Sequence, residues 1–170
     1  MMRFITKLRQ SEENLYTVCN ILLQLLQIKV TSKSLKKSVD QHIYFPSLLT
    51  IKDVLKEYGV ESAALYRNEN SFADFETPYI ASIQKPEWGN RYFTIIRNAQ
   101  NNLIEFYDPV NLNWKTEKTE AFQQWDKNII LLIEKQDING EKDYINKRKE
   151  ERKEYLVKNI PEFFYFLQYC

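Results

Sequence analysis

The sequence predicts an α+β fold in which N-terminal helices pack on an antiparallel β-sheet. Apolar residues recur at helical spacing through the first third of the chain. After Gly59 the pattern changes to short runs rich in β-branched and aromatic residues, bounded by turn signals. Helices come first and strands follow, the order of an α+β chain rather than of alternating βαβ units.

The first helix is predicted over residues 11–28, with Ser11 as its start and Leu15, Val18, Leu22 and Leu25 as its apolar face. A short second helix is predicted over 34–39. Pro46 opens a third at a favoured first-turn position, and Gly59 ends it. Strands are predicted at 60–66, 79–83, 92–96, 103–107 and 128–133, running as a meander. Between them lie a turn of helix at 72–75 and a short helix at 119–125, with Thr119 as its cap. The expected core includes Leu22, Leu25, Leu48, Leu55, Ile80, Phe93, Ile95 and Leu131.

Composition sets limits on function. The 44% hydrophobic content over 170 residues suffices for one packed domain. With 24 basic and 23 acidic residues there is no basic excess for nucleic-acid binding. Three glycines leave no room for a phosphate-cradling loop, and one histidine with two distant cysteines gives no zinc cluster, so no cofactor or metal is expected. Cys19 and Cys170 form no disulfide framework, which suits a reducing compartment. No secretory leader and no run of about 18 apolar residues is present. The segment 136–170 changes character, charged over 141–158 and apolar and aromatic from Ile160. Lys147, Arg148, Lys149, Arg152, Lys153 and Lys158 mark a cytoplasmic flank. The eleven final residues, at about 1.5 Å each, fall short of a bilayer core of about 30 Å. They are expected to begin a membrane helix or to form a surface-seeking end. The expected division is 1–135 as a domain and 136–170 as a charged helical linker with an apolar end.

Candidate chemistry is sparse. A Cys–His pair could use only His42, with Cys19 or Cys170. Cys19 falls mid-helix near the apolar face, where a thiol is inert, and His42 reads as a loop residue. Asp108-Pro109 follows an apolar strand and reads first as turn chemistry.

An ordered set of segments between residues 11 and 134 resembles the papain-like, bacteriocin-processing cysteine peptidases that cut after double-glycine leaders. The set comprises the helix from Asn14 to Val30, Thr31, Ser47-Leu48-Leu49, Tyr58-Gly59-Val60-Glu61, and the strand Pro78-Tyr79-Ile80-Ala81. It continues with Tyr92-Phe93-Thr94-Ile95-Ile96, Asp108-Pro109, and Ala121-Phe122 with Trp125. The stretch from His42 to Leu49 more faintly resembles a branch fused to vitamin K epoxide reductase-type membrane proteins. The resemblance implies a papain-like fold and the cytoplasmic N-terminal part of an ABC exporter or such a membrane protein. Its triad positions fall at Asn14 for the nucleophile, Tyr92 for the histidine and Asp108, with Gln10 near the oxyanion glutamine but out of register. Nucleophile and general base are then both lost. What the resemblance implies is therefore a non-catalytic module that binds a peptide, a leader segment or its own membrane domain. The alternatives are an active peptidase with an atypical site and a purely structural domain packed on a membrane partner.

Overall fold

The computed structural model describes residues 2–88, 90–134 and 140–168, with side chains described from 13 to 158 within those bounds. Three helices lead the chain: α1 (Met2–Leu25), α2 (Ser32–Asp40) and α3 (Leu48–Glu57). The strands are β1 (Ser62–Tyr66), β2 (Tyr79–Ile83), β3 (Tyr92–Gln100), β4 (Leu103–Asp108), β5 (Asn113–Lys118) and β6 (Asp126–Ile133). Two further helices, α4 (Thr119–Gln123) and α5 (Tyr144–Gln168), complete the chain, and a 3-10 turn spans Phe72–Asp74.

The α+β class and the antiparallel pairing agree with the sequence reading. Several details differ from it. α1 extends back to Met2 instead of starting at Ser11. No proline or glycine interrupts residues 2–25, so nothing forces a helix to begin at Ser11. Ser47, not Pro46, starts α3: it is the N-cap, its Oγ accepting from the Thr50 N–H at 3.2 Å, while Pro46 sits before it after a cis peptide bond. Gly59 follows the C-cap Tyr58 at φ 86°, the left-handed end expected of it. Thr119 does not cap α4; Lys118 stands at the N-cap, and the Thr119 N–H donates to the Asn102 carbonyl.

The sheet is ordered β1-β6-β2-β3-β4-β5, so only β2 to β5 form a meander. β6 returns to lie between β1 and β2, pairing Ala64 with Leu131 on one side and Ile80 with Leu131 on the other. β5 has no clear apolar alternation; it is an edge strand carrying Lys115 and Lys118, charges that discourage pairing with another chain.

Strand alternation sorts the core into two layers. Ile80, Ile95 and Leu131 face α1, α2 and α3 and pack with Val18, Leu22, Leu35, Ile51 and Leu55. Tyr79, Ala81, Ile83, Tyr92, Ile96 and Phe106 face the other way, onto Phe72 and Phe122. That second layer is aromatic: Phe122 meets Phe72 edge-on at 5.3 Å and Phe106 at 5.1 Å. Buried Lys85 sets its ammonium over the rings of Trp125, Trp88 and Phe106, at 3.8, 5.0 and 5.4 Å. Of the expected core, Leu25 is the exception at 38% exposed, because it is the last residue of α1, while Leu48 and Phe93 are half-buried.

Among the described residues after β6, Glu141 makes the buried attachment to the domain. Buried Glu141 accepts from the Thr31 N–H at 2.8 Å and from Lys147 Nζ at 2.9 Å, closing the N-terminus of α2. Burial raises the Glu141 carboxyl, but hydrogen bonds from Ser34, Lys147 and Thr31 outweigh this and hold it below its ordinary value. Gly140 has φ 64°, and a Cβ there would stand 3.1 Å from the Lys29 carbonyl oxygen, so this approach requires glycine. Beyond Glu141, α5 makes exposed contacts with α2, such as Lys33 to Glu154 at 2.7 Å. No described helix is long and apolar enough to cross a membrane.

Two substitutions test this packing. Phe122→Ala is expected to cost about 3–5 kcal/mol, read in a denaturant melt, because it empties the centre of the aromatic layer. Glu141→Ala is expected to cost about 1–3 kcal/mol by leaving the Thr31 N–H unpaired, with faster amide exchange in the first turn of α2. An unchanged melt for Phe122→Ala, or unchanged exchange for Glu141→Ala, would contradict these roles.

Candidate functional site

The resemblance placed three residues in one site; the structure brings only some of its surroundings together. Asn14 lies about three turns into α1, not at a helix start. Its side chain is almost fully buried and grips the backbone of β3. Nδ2 donates to the Phe93 carbonyl at 2.9 Å, and Oδ1 accepts from the Phe93 N–H at 2.8 Å. β4 pairs with β3 from Ile96 to Gln100, so at Phe93 the sheet has no β4 partner. The Asn14 amide supplies the missing donor and acceptor in the manner of a strand.

Tyr92 points to the opposite face. It belongs to the aromatic layer, edge-on to Trp88 at 5.4 Å, and burial pushes its phenol above the ordinary value. Its neighbour Phe93 faces α1 and stands beside Asn14 instead.

Asp108 is fully buried at the end of β4. One oxygen accepts from the N–H groups of Val110 and Asn111, both at 2.9 Å. The other accepts from Asn111 Nδ2 at 2.9 Å and Lys115 Nζ at 2.7 Å. Burial raises its carboxyl, and these four donors overcome that and hold it below the usual value. Of the two roles open to Asp108 once it has no imidazole to orient, capping a turn or bonding the Tyr92 hydroxyl, it takes the first.

Cys19 and His42 do not meet. Cys19 is fully buried among apolar side chains, and burial pushes its thiol up to about 12, which keeps it protonated. His42 Nε2 lies 3.3 Å from Asp53 Oδ2, and its Nδ1 accepts from the Tyr44 N–H at 3.3 Å. It lines a concavity of about 1170 Å³ between α2, the end of α3 and residues 140–147, away from Asn14, Tyr92 and Asp108. Cys170 lies outside the described residues, and Gln10 outside those with described side chains. Among the described residues no group of His, Cys, Asp and Glu is arranged to hold a metal.

A separate cleft of about 350 Å³ opens beside Asn14. It is lined by Leu15, Ser47, Leu48, Ser82, Arg91 and Phe93, with Pro46 and Ile129 completing it. Among the described residues that line it there is no cysteine, histidine or carboxylate, so these offer a surface for binding and no proton-transfer pair. Ser82 and Arg91 were not singled out from sequence. A serine inside a buried strand run, Tyr79–Ile83, was the signal available.

The architecture is that of a papain-like fold. The Peptidase C39 family matches residues 4–138, and the chain belongs to this family. No curated protein matches the sequence. Three solved structures share the fold. The peptidase domain of Streptococcus ComA, a bifunctional ABC transporter, has 17% identity and a TM-score of 0.57, covering 68% of this chain and 85% of that one. A double-glycine motif protease from an AMS/PCAT transporter, solved with its leader peptide, has 13% identity and a TM-score of 0.57, over 71% and 82%. The N-terminal peptidase C39-like domain of a Vibrio parahaemolyticus toxin secretion ATP-binding protein has 8% identity and a TM-score of 0.55, over 72% and 97%.

Three outcomes follow from the geometry. Asn14→Ala is expected to destabilise by about 1–3 kcal/mol, since it leaves the Phe93 N–H and carbonyl unpaired. In a Cys170→Ser background, Cys19 is expected to resist iodoacetamide until the protein is denatured; rapid native labelling would contradict its burial. Asp108 contributes stability that is present above its unfolded value, near about 3.9, and is lost as pH falls through its lower folded value. Asp108→Asn is therefore expected to flatten the acid limb of a stability-against-pH curve relative to the parent. A parallel loss in both proteins would remove Asp108 from the account.

Proposed function

We propose that this chain is a non-cleaving peptidase-like domain, of the kind attached to ABC exporters, which holds a peptide segment in the cleft beside Asn14. The observation that supports this reading is the Asn14 amide, which stands where the resemblance puts the nucleophile and is occupied in holding the Phe93 backbone. Papain-type chemistry needs a thiolate at a helix N-terminus beside an oriented imidazole. The positions the resemblance gives hold an amide and a phenol, Asp108 is committed to its own turn, and the single histidine faces Asp53. On this reading Asn14, Tyr92 and Asp108 are the degenerate triad positions.

The occupant follows from the cleft and from the relatives. The AMS/PCAT protease was solved with a leader peptide, and an apolar cleft floored by strand backbone suits an extended peptide. Residues 1–135 form the binding domain in this proposal. Residues 136–170 form a helical extension at the cytoplasmic face of a membrane, towards which the basic residues of α5 point the assignment. The DNA following the codon for Cys170 distinguishes an exporter from a vitamin K epoxide reductase-type partner.

Purified protein mixed with double-glycine leader peptides is expected to bind them without cutting. Cys19→Ala is expected to change binding by no more than a few fold. Cleavage that disappears in Cys19→Ala would establish an atypical active peptidase instead. Absence of binding would leave a structural domain that packs on a membrane partner.

A further inference from the structure

We propose that the cleft beside Asn14 receives the free carboxyl terminus of a peptide, with Arg91 and Ser82 as the groups that recognise it. This rests on the peptide-binding reading above and adds which part of the peptide is read.

Ser82 is 1% exposed, lines the cleft, and its hydroxyl has no hydrogen-bond partner among the described residues. A buried hydroxyl left unpaired is costly, so such groups in folded proteins have partners or await one. Ser82 pairs with Phe93 across β2 and β3. Arg91 precedes Phe93 by two residues, so by strand alternation it projects from the same face, diagonal to Ser82. Diagonal positions lie about 7–8 Å apart, a span that one carboxylate and a long arginine side chain bridge. Arg91 is exposed at the mouth of the cleft and has no carboxylate partner among the described residues. Among its described lining residues the cleft thus holds one cation, one unpaired buried hydroxyl and no acid.

That donor set matches an acceptor-only anion. A carboxylate takes the Ser82 O–H on one oxygen and the Arg91 guanidinium on the other, as charge-assisted bonds. An amide in the same place would keep one acceptor oxygen but set an N–H donor against a guanidinium, which has no acceptor. Size points to a chain end. At about 350 Å³ the cleft stands at the small end of ligand cavities, roughly 300–1,000 Å³. Leu15, Leu48 and Phe93 give the residues before the carboxylate an apolar wall.

The test uses the full chain and one N-terminally fluorescein-labelled leader peptide ending in two glycines, in three forms. These are the free acid, the C-terminal amide, and the same sequence continued by three alanines. Fluorescence anisotropy is expected to show the free acid binding about tenfold or more tighter than either other form. Ser82→Ala and Arg91→Gln change a buried unpaired hydroxyl and an exposed side chain, so both should fold; each is expected to erase most of that preference. Equal binding of the three forms overturns this inference and leaves the peptide-binding reading standing. A preference that survives both substitutions overturns the assignment of Ser82 and Arg91. If no form binds, both the inference and the reading beneath it fail. A free acid displaced equally well by decanoate would make the site one for any carboxylate, and the assignment to a peptide terminus would fall.

Discussion

One side-chain amide, that of Asn14, fastens the helical layer to the sheet at the position where the sheet itself runs out of partners. β3 is longer than its pairing with β4, and a strand residue without a neighbour exposes two backbone groups that must be satisfied when buried. Asn is suited to this because its side chain carries a donor and an acceptor in the geometry of a peptide group. With Asn14 pinned to Phe93, α1 sits at fixed height over β3, and Leu15 and Phe93 become two walls of one cleft. A cysteine at position 14 could not make this clasp, since a thiol is a weak donor and a weak acceptor. On the proposed reading, the clasp and the absence of a thiol at this position are two consequences of one residue.

The two faces of the sheet carry different physical loads. The face towards α1, α2 and α3 is aliphatic and contains the cleft. The far face is an interlocked set of rings around Phe122, with Lys85 held over three of them. A tyrosine placed at position 92 belongs to the far face by alternation and adds to that ring cluster. The phenol therefore serves packing, and the side chain that meets the cleft is the apolar Phe93.

How much of this was legible in the sequence depended on whether the signal was local. The helices and five of the six strands show as periodicity, because each buries one face and the burial rewards that pattern directly. β5 does not show: Trp114 is its one large apolar residue, and its place is fixed by pairing with β4. The insertion of β6 between β1 and β2 is a long-range choice with no local trace. The start of α1 was misplaced because Ser11 has the chemistry of a cap without being used as one. The site was legible only in part. Asn14 and Asp108 stood out by their place in an ordered set of segments, and the turn-capping bonds of Asp108 were legible as Asp-Pro chemistry. The facing of Tyr92 was not, since a shift of one residue along a strand moves a side chain through the sheet. Ser82 was hidden in an apolar run, where its hydroxyl matters only after folding leaves it without a partner.

Glu141 shows a different kind of dependence. It stands 110 residues from the Thr31 N–H it accepts, and it closes a helix start that has no side-chain cap of its own. The rest of the extension meets the domain through exposed charge pairs, which contribute little. Attachment of α5 therefore rests on a short segment: Gly140, which alone permits the approach to Lys29, and the buried carboxylate that follows it. Among the described contacts, α5 therefore meets the domain at the first turn of α2, where the Thr31 N–H is held by Glu141 and Lys33 by Glu151 and Glu154.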